Sequence, residues 1–539
     1  MKFSKFINLA TYLVASSLVA AEITLTAGPV TCDYKKKDID ESYDTSSAVG
    51  IKCSGSSCTV SGSGATSSNG LVNITAAGTY VVQGSLQGQL RIEVTNEDYV
   101  HLILNSATIT STSGPAIYGI NADKVTLTLI GNNKLTDTSN YTVVDEEPDA
   151  CLFIDADLSI NGSGSLSVTG NYGDAIRCKK DLKLVSGEIT VPKALSRGIK
   201  AKNSICVKDA SIDVTSIDSS IKVTRDDDPD KGFIVIDGGD LSLSTSNKGI
   251  HAETHLTING GYIDIKNSKE GLEGQMIDIL GGEIHVLATD DGINGSKISS
   301  DTSSNGGWGG MGMGMGSSDG SVYINIVGGR TFITVQGNDL DGIDSNGDLY
   351  IGGNAEVYVS NQGGAIYGNM AAFDADGMNA ICSGATVIGT AGGSSSSGCW
   401  KRQWSRGGFS GGGFPGQGGS SGASGASGSS GSGGMMGETG SVYQPYIQTS
   451  VTTQNGGTTI TVKDKNNNII ATFTPINAYS SILVTSPQMV AGQTYTIVTG
   501  NSSQTATASS AASGSVNPPS VTTSYSKWYC LILMINFHK

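Results

Sequence analysis

The sequence predicts an all-β solenoid, a parallel β-helix of about 22-residue coils with Gly/Ser/Met-rich insertions and a small C-terminal β unit. Three observations carry that expectation. First, only 37% of the 539 residues are hydrophobic and 6% aromatic, while 75 are Gly. Such a composition disfavours a helical globule and suits many short strands joined by tight turns. Second, an aliphatic ladder recurs at Cys151, Ile176, Ile199, Ile221, Ile250, Leu272, Ile293 and Ile343. Most of its spacings are 21 to 25 residues, and the two longer ones, 29 and 50, each contain an insertion. Third, two further alternating segments follow most ladder positions, such as Ile277-Asp-Ile279 and Glu283-Ile-His-Val286. A repeat of this length with no helical segment is the signature of stacked β-coils.

In chain order, Lys2 and Lys5 precede Ile7 to Val19, which is apolar but too short to span a bilayer, and Val19-Ala20-Ala21 supplies small residues for cleavage. Residues 1–21 are therefore expected to be a secretory signal, and the mature protein to be extracellular, free or held at a cell surface. Residues 22–110 read as an N-terminal β region and cap, with Tyr99-Val-His-Leu-Ile-Leu104 among its strands. Residues 111–390 form the coil repeat. The insertion Lys297 to Gly320 is rich in Met and Gly, and 391–440 is a Gly/Ser-rich low-complexity linker whose Trp400 and Trp404 read either as part of a tether or as rings for sugars. Residues 441–500 resume strands as a C-terminal unit, and 501–539 are a Ser/Thr-rich tail with a short apolar end. That end is too short to span a membrane.

Nine Cys in a secreted chain allow disulfides with one thiol left over; Cys53 with Cys58 and Cys382 with Cys399 are candidate pairs. A net charge of −15 disfavours nucleic acid as a partner and favours divalent cations or basic surfaces.

The ladder defines an edge. A small residue precedes each ladder position, and charged residues flank it. Glu270, Glu273, Asp290, Asp291, Asp339, Asp341 and Asp344 fall on that edge in coils stacked about 4.8 Å apart. Two unit charges at about 5 Å and an effective dielectric near 20 repel by roughly 3 kcal/mol. A hard cation such as Ca²⁺, taking six to eight oxygens, offsets such crowding, with Asn294 and Asn338 adding oxygens. The competing reading is that these Asp and Gly residues form turns. In the middle coils the same edge carries Arg177, Arg197, Lys200, Lys222, Lys248 and His251. A row of cations suits an acidic polymer; a solvated, neutralised face is the alternative. Past Ile343 the ladder continues through either Ile366 or Met378.

Segments spread along the chain resemble one family. They include Ala76-Ala-Gly-Thr-Tyr-Val-Val-Gln-Gly84, Asp157-Leu-Ser-Ile-Asn-Gly-Ser-Gly-Ser-Leu166, Thr169-Gly-Asn-Tyr-Gly-Asp-Ala-Ile176, Ile250-His-Ala-Glu-Thr-His-Leu-Thr-Ile-Asn-Gly260 and Asp341-Gly-Ile-Asp-Ser-Asn-Gly347. Together they resemble the secreted carbohydrate-binding domain family of cellulolytic microbes, over roughly residues 70 to 390. The resemblance implies a right-handed parallel β-helix similar to pectate lyases, Ca²⁺ as the bound cofactor, and binding of acidic plant cell-wall polysaccharide such as polygalacturonate without clear catalysis. Where the family tends to repeat Asp-Gly-Ile, this chain has Arg197-Gly-Ile, Ser219-Ser-Ile and Lys248-Gly-Ile. Calcium is accordingly expected at Asp290, Asp291, Asp339, Asp341 and Asp344 with Glu270, and Asp174, Asp374 and Asp376 are weaker candidates.

The leading expectation is a monomeric, calcium-dependent polysaccharide binder. A polysaccharide lyase is the alternative, since β-elimination needs calcium and a Lys or Arg base, for which Arg197, Lys200 or Lys248 would serve. A structural surface protein or adhesin is the third reading.

Overall fold

Strands here are short because Gly-rich turns punctuate the chain every four to seven residues, and each strand finds its partner in the next turn of the repeat. The computed structural model describes residues 23–297, 320–337, 340–368, 370–392 and 440–519. The expected signal, most of the Met/Gly insertion, Asn338 and Asp339, the Gly/Ser linker and the apolar C-terminus lie outside them. Among the described residues the protein is all-β apart from one short helix, Lys36–Ile39.

Each coil contributes three strands. In one coil they are Glu270–Gly274, Met276–Ile279 and Glu283–Ala288. In the next they are Ile293–Gly295, Tyr323–Ile326 and Arg330–Val335. The first strands of these coils pair in parallel with each other, and likewise the second and third. The first strands build a fourteen-stranded sheet and the second and third strands merge in a larger one. Parallel pairing of this kind begins well before residue 111, with Gly78–Gln87 against Tyr99–Thr110 and Leu71–Ile74 against Gln89–Glu93. An antiparallel hairpin, Val49–Gly55 with Ser57–Ser61, precedes it and is closed by the Cys53–Cys58 disulfide.

The ladder residues are the core. Ile176, Ile199, Ile221, Ile250, Leu272, Ile293 and Ile343 stand in register and are fully buried. Each such side chain contributes about 1.5–3 kcal/mol of burial free energy. Two of the expected positions are corrected by the register. The first rung is Leu152, which pairs with Ile176, not Cys151. The coil after Ile343 is entered through Phe373, with Asp374 beside Asp344, and neither Ile366 nor Met378 is the rung. Both corrections fall in runs, Ala150–Ile154 and Ala371–Ala375, that are buried on both faces, so alternation does not mark which side chain points inward.

The start of the expected N-terminal β region is not strand: before Val49 the described chain has only the helix Lys36–Ile39, and its first part covers the outer face of the second strands. Residues 25 to 38 run across successive coils. Leu25 packs on Met276 and Tyr323, the Val30 amide donates to Thr257 Oγ1 (3.0 Å), and Tyr34 donates to Asp237 (2.8 Å). Cys32 is joined to Cys206. Asp38, fully buried, accepts from Ser159 (2.6 Å) and meets both Lys124 and Lys183. The strap therefore ties together coils that otherwise touch only their neighbours. Cys382 is a buried thiol, and Cys399 lies outside the described residues.

At the far end a four-stranded antiparallel sheet, Ile469–Phe473, Ile460–Lys463, Thr494–Thr499 and Ser502–Thr507, packs on the outward side chains of the last coils. Tyr358 and Ile388 from the stack share one apolar cluster with Ile460, Tyr479 and Ile497.

Candidate functional site

The first-strand sheet carries the edge. Each ladder residue turns inward, the next residue turns outward, and a small residue sits at the corner before it. The corner must be small because the coils approach closely there. A Cβ on Gly249 would stand 2.6 Å from the Gly271 carbonyl oxygen and 2.7 Å from Ile265 Cδ1. The outward column then reads Phe153, Arg177, Lys200, Lys222, His251, Glu273, Asn294, Asp344 and Asp374, in register. A second column runs before the corner and includes Asp174, Lys248 and Glu270, with Asp174 beside Ala150 and Lys248 beside Glu270.

The cations of the middle coils are brought together, and each has a carboxylate partner. Arg177 pairs with Asp149 and with Glu147 (2.6 Å). Arg197 reaches Asp218 (3.1 Å), and its amide donates to Asp174 (2.9 Å). Lys200 stands 3.6 Å from Asp174 and 3.8 Å from Asp149, and Lys222 3.5 Å from Glu253. Lys248 meets Glu273 and, at 3.4 Å, Glu270. His251 Nε2 lies 3.3 Å from Glu273 and 3.8 Å from Glu253. The Lys and Arg side chains of the row are thus each offset by a carboxylate from the neighbouring column or from a turn beside it. Glu147, Asp218 and Glu253 are partners that sequence reasoning missed. Each lies in a turn or loop beside the edge, whose direction no period reveals.

Burial and neighbours set the protonation states. Burial, reinforced by Lys222, Lys248 and Arg197, holds the His251 imidazole well below its ordinary pKa, so it is neutral. Burial also lowers Lys200 against the pull of Asp174. Lys248 is buried too, yet Glu273 and Glu270 raise its ammonium above the ordinary value.

The acidic end differs. Asp290 pairs with Lys269 (2.8 Å), and Asn294 donates to Glu270 (3.3 Å). Asp341 accepts from the Ala371 amide (2.7 Å). Asp291 is pushed up to about 8 by burial and then by Asp344, Asp290, Glu270 and Asp341. Two oxygens, Asn294 Oδ1 and Asp374 Oδ1, are buried without a hydrogen-bond partner. Carboxylate and amide oxygens are the donors a hard cation takes. Among the described residues, no three His, Cys, Asp or Glu side chains converge as a ready-made metal site. Asp174 stands apart at the basic end, against Lys200 and Arg197. Asp376 lies in the turn after Asp374.

Comparison with known proteins follows the same stretch of chain. A family model described as carbohydrate-binding domain-containing protein matches residues 68–320. A carbohydrate-binding domain-containing protein of Acetivibrio thermocellus is 33% identical over 215 residues, which are 39% of this chain and 74% of that protein. A solved structure titled as the polysaccharide lyase-like protein from C. thermocellum, in a gadolinium derivative, is 28% identical, covers 44% of this chain and 93% of its own, and superposes with a TM-score of 0.39. On the identity and coverage of the Acetivibrio relative, this chain belongs to the carbohydrate-binding domain-containing protein family.

Proposed function

We propose that this protein is a secreted, calcium-dependent, non-catalytic binder of acidic plant cell-wall polysaccharide, carried on a right-handed parallel β-helix. The observation that supports the calcium reading is the stacking in register of Asn294, Asp344 and Asp374, with Asn294 Oδ1 and Asp374 Oδ1 buried without partners, beside Asp291, which burial and then Asp344, Asp290, Glu270 and Asp341 push up to about 8. Such a site holds protons near neutrality unless a cation replaces them. Asp290, Asp291, Asp341 and Asp344, with Glu270 and the Asn294 and Asp374 oxygens, are the residues that would hold Ca²⁺, and Asp339 adjoins them in sequence. The bound cation supplies positive charge at which polymer carboxylates can be bridged.

The basic coils contribute differently. Their cations are already paired, so a uronate must compete with Asp149, Asp174, Asp218, Glu253 or Glu273 for them. They favour an acidic polymer by exchange of partners rather than by open charge. Secretion accords with the two disulfides, which persist in oxidising compartments.

A lyase reading has one observation in its favour, the lowered pKa of Lys200, which brings it toward the range of a general base. Against it, Lys200 lies at the basic end and the carboxylate cluster at the other, several coils away. Retention on immobilised polygalacturonate, with calcium and with chelator, separates the readings. The expected result is retention that needs calcium and no rise in ultraviolet absorbance from an unsaturated uronate. Rising absorbance would make the protein a lyase, and no retention on any plant polymer would leave a structural role.

A further inference from the structure

The outward column of the first-strand sheet begins before the charged coils. Asn73, Arg91, Tyr118 and Phe153 precede Arg177 in one register, each on a successive strand of the sheet. With strands about 4.8 Å apart, Arg91 stands about 14 Å from Arg177 along the column. Two rings fill the interval. The Arg91 guanidinium lies over the Tyr118 ring at 5.9 Å, Tyr118 meets Phe153 edge-on at 5.7 Å, and Arg177 lies over Phe153 at 5.5 Å. Each guanidinium thus has an aromatic neighbour, a contact that favours a cation held in place.

The two arginines differ in their partners. Arg177 is taken up by Asp149 and Glu147, and Lys200 and Lys222 further along the column also face carboxylates. Among the described residues Arg91 has neither an ion pair nor a hydrogen bond, and its Nε is enclosed without an acceptor. Its side chain is half-buried, with Nη groups that are neither bonded nor enclosed. One strand back, Asn73 Oδ1 is enclosed without a donor. An unpaired donor and an unpaired acceptor therefore lie side by side at this end of the edge, where each leaves polar bonding capacity unused.

We propose that Arg91 is the anchor for a uronate carboxylate, where an acidic polymer meets a cation of the edge without displacing a protein carboxylate. The inference rests on the acidic-polysaccharide reading and says where that polymer's charge is held. A guanidinium takes a carboxylate through two parallel N–H···O bonds, and its planar fork, stacked on a ring, loses little freedom in doing so. A uronic acid also carries ring hydroxyls, the donors that Asn73 lacks. The calcium residues lie at the other end of the same column, so the two sites engage different parts of one chain. Arg91 escapes the sequence pattern because it precedes residue 111, where the coil repeat was expected to begin.

The test is retention on polygalacturonate in calcium, for wild type, Arg91→Gln and Arg91→Lys. Arg91→Gln is expected to bind about tenfold more weakly, the effect of losing a charge-assisted hydrogen bond. Arg91→Lys recovers part of the loss, because it keeps the charge without the fork. Methyl-esterified polygalacturonate should be held less well by the wild type, and esterification should cost Arg91→Gln a smaller factor, since the partner of the carboxylate is already gone. Equal factors in the two proteins would overturn the proposal. So would a calcium titration or melting temperature that falls in Arg91→Gln together with retention, or dextran sulfate held as tightly as polygalacturonate and weakened equally by the substitution. Wild-type retention with no effect of Arg91→Gln removes the anchor and leaves the polysaccharide reading standing. No retention of the wild type removes both.

Discussion

Asp38→Ala is expected to lower the stability of the stack by about 3 kcal/mol or more, the cost of leaving buried charge without its partner. Asp38 is fully buried and lies between Lys124 and Lys183, whose side chains are 11% and 16% exposed. Removing the carboxylate leaves two like charges facing each other and strands the Ser159 hydroxyl. It also removes the side-chain anchors of the strap to Lys124, Lys183 and Ser159 and leaves, at this residue, only the bond from Asn161 to the Asp38 backbone carbonyl (2.9 Å). Asp38→Asn keeps the shape and removes the charge, and it isolates the pH dependence. Burial alone would raise the Asp38 pKa, but hydrogen bonds from Lys124, Ser159 and Lys183 outweigh it and hold the carboxyl below the ordinary range. A depressed folded pKa gives stability that is complete above the unfolded value, about 3.9, and is lost as pH falls below it. Thermal melts of wild type and Asp38→Asn should therefore differ most at neutral pH and converge below about pH 4. A constant difference across that range would remove the charge from the explanation.

Gly271→Val is expected to destabilise by about 3 kcal/mol, the upper part of the range for forcing atoms into a packed core. The backbone of Gly271 has no unusual φ, so the requirement is steric. A Cβ there would collide with the Gly292 carbonyl oxygen of the next coil and with Val286 Cγ1 of the third strand. Both obstacles are held by the ladder itself, which cannot shift one coil without its neighbours. Gly364, around which a Cβ meets nothing within 4 Å, is the control, and Gly364→Ala should melt with the wild type. Equal melting of Gly271→Val and wild type would show that the coils can separate at this corner.

The corner glycines also show why so much of the fold was legible. A coil that must pass close to its neighbour writes a small residue before a buried aliphatic one, and that pair repeats at Gly198-Ile199, Gly249-Ile250, Gly292-Ile293 and Gly342-Ile343. The rule loses its register at Ala150–Ile154 and Ala371–Ala375, where both faces of the strand are buried and nothing alternates. The charged edge was legible as a column because it inherits the ladder's period. Its pairing was not, since Glu253 and Asp218 approach from turns. The strap was invisible for a related reason. Residues 25 to 38 have no period of their own, and their contacts with Thr257, Asp237 and Ser159 lie more than a hundred residues away in sequence.

The central claim is that the acidic end of the edge holds calcium. Isothermal titration of Ca²⁺ into wild-type protein and into Asp291→Asn/Asp341→Asn, near neutral pH, addresses it directly. Binding to the wild type should release protons, because Asp291 is pushed up to about 8 and must ionise to serve as a ligand. The measured heat should then change with the ionisation enthalpy of the buffer. The double variant should bind at least tenfold more weakly, and calcium should raise its melting temperature less. An unchanged titration in the variant would contradict the account and leave Asp291 and Asp341 as residues that form turns.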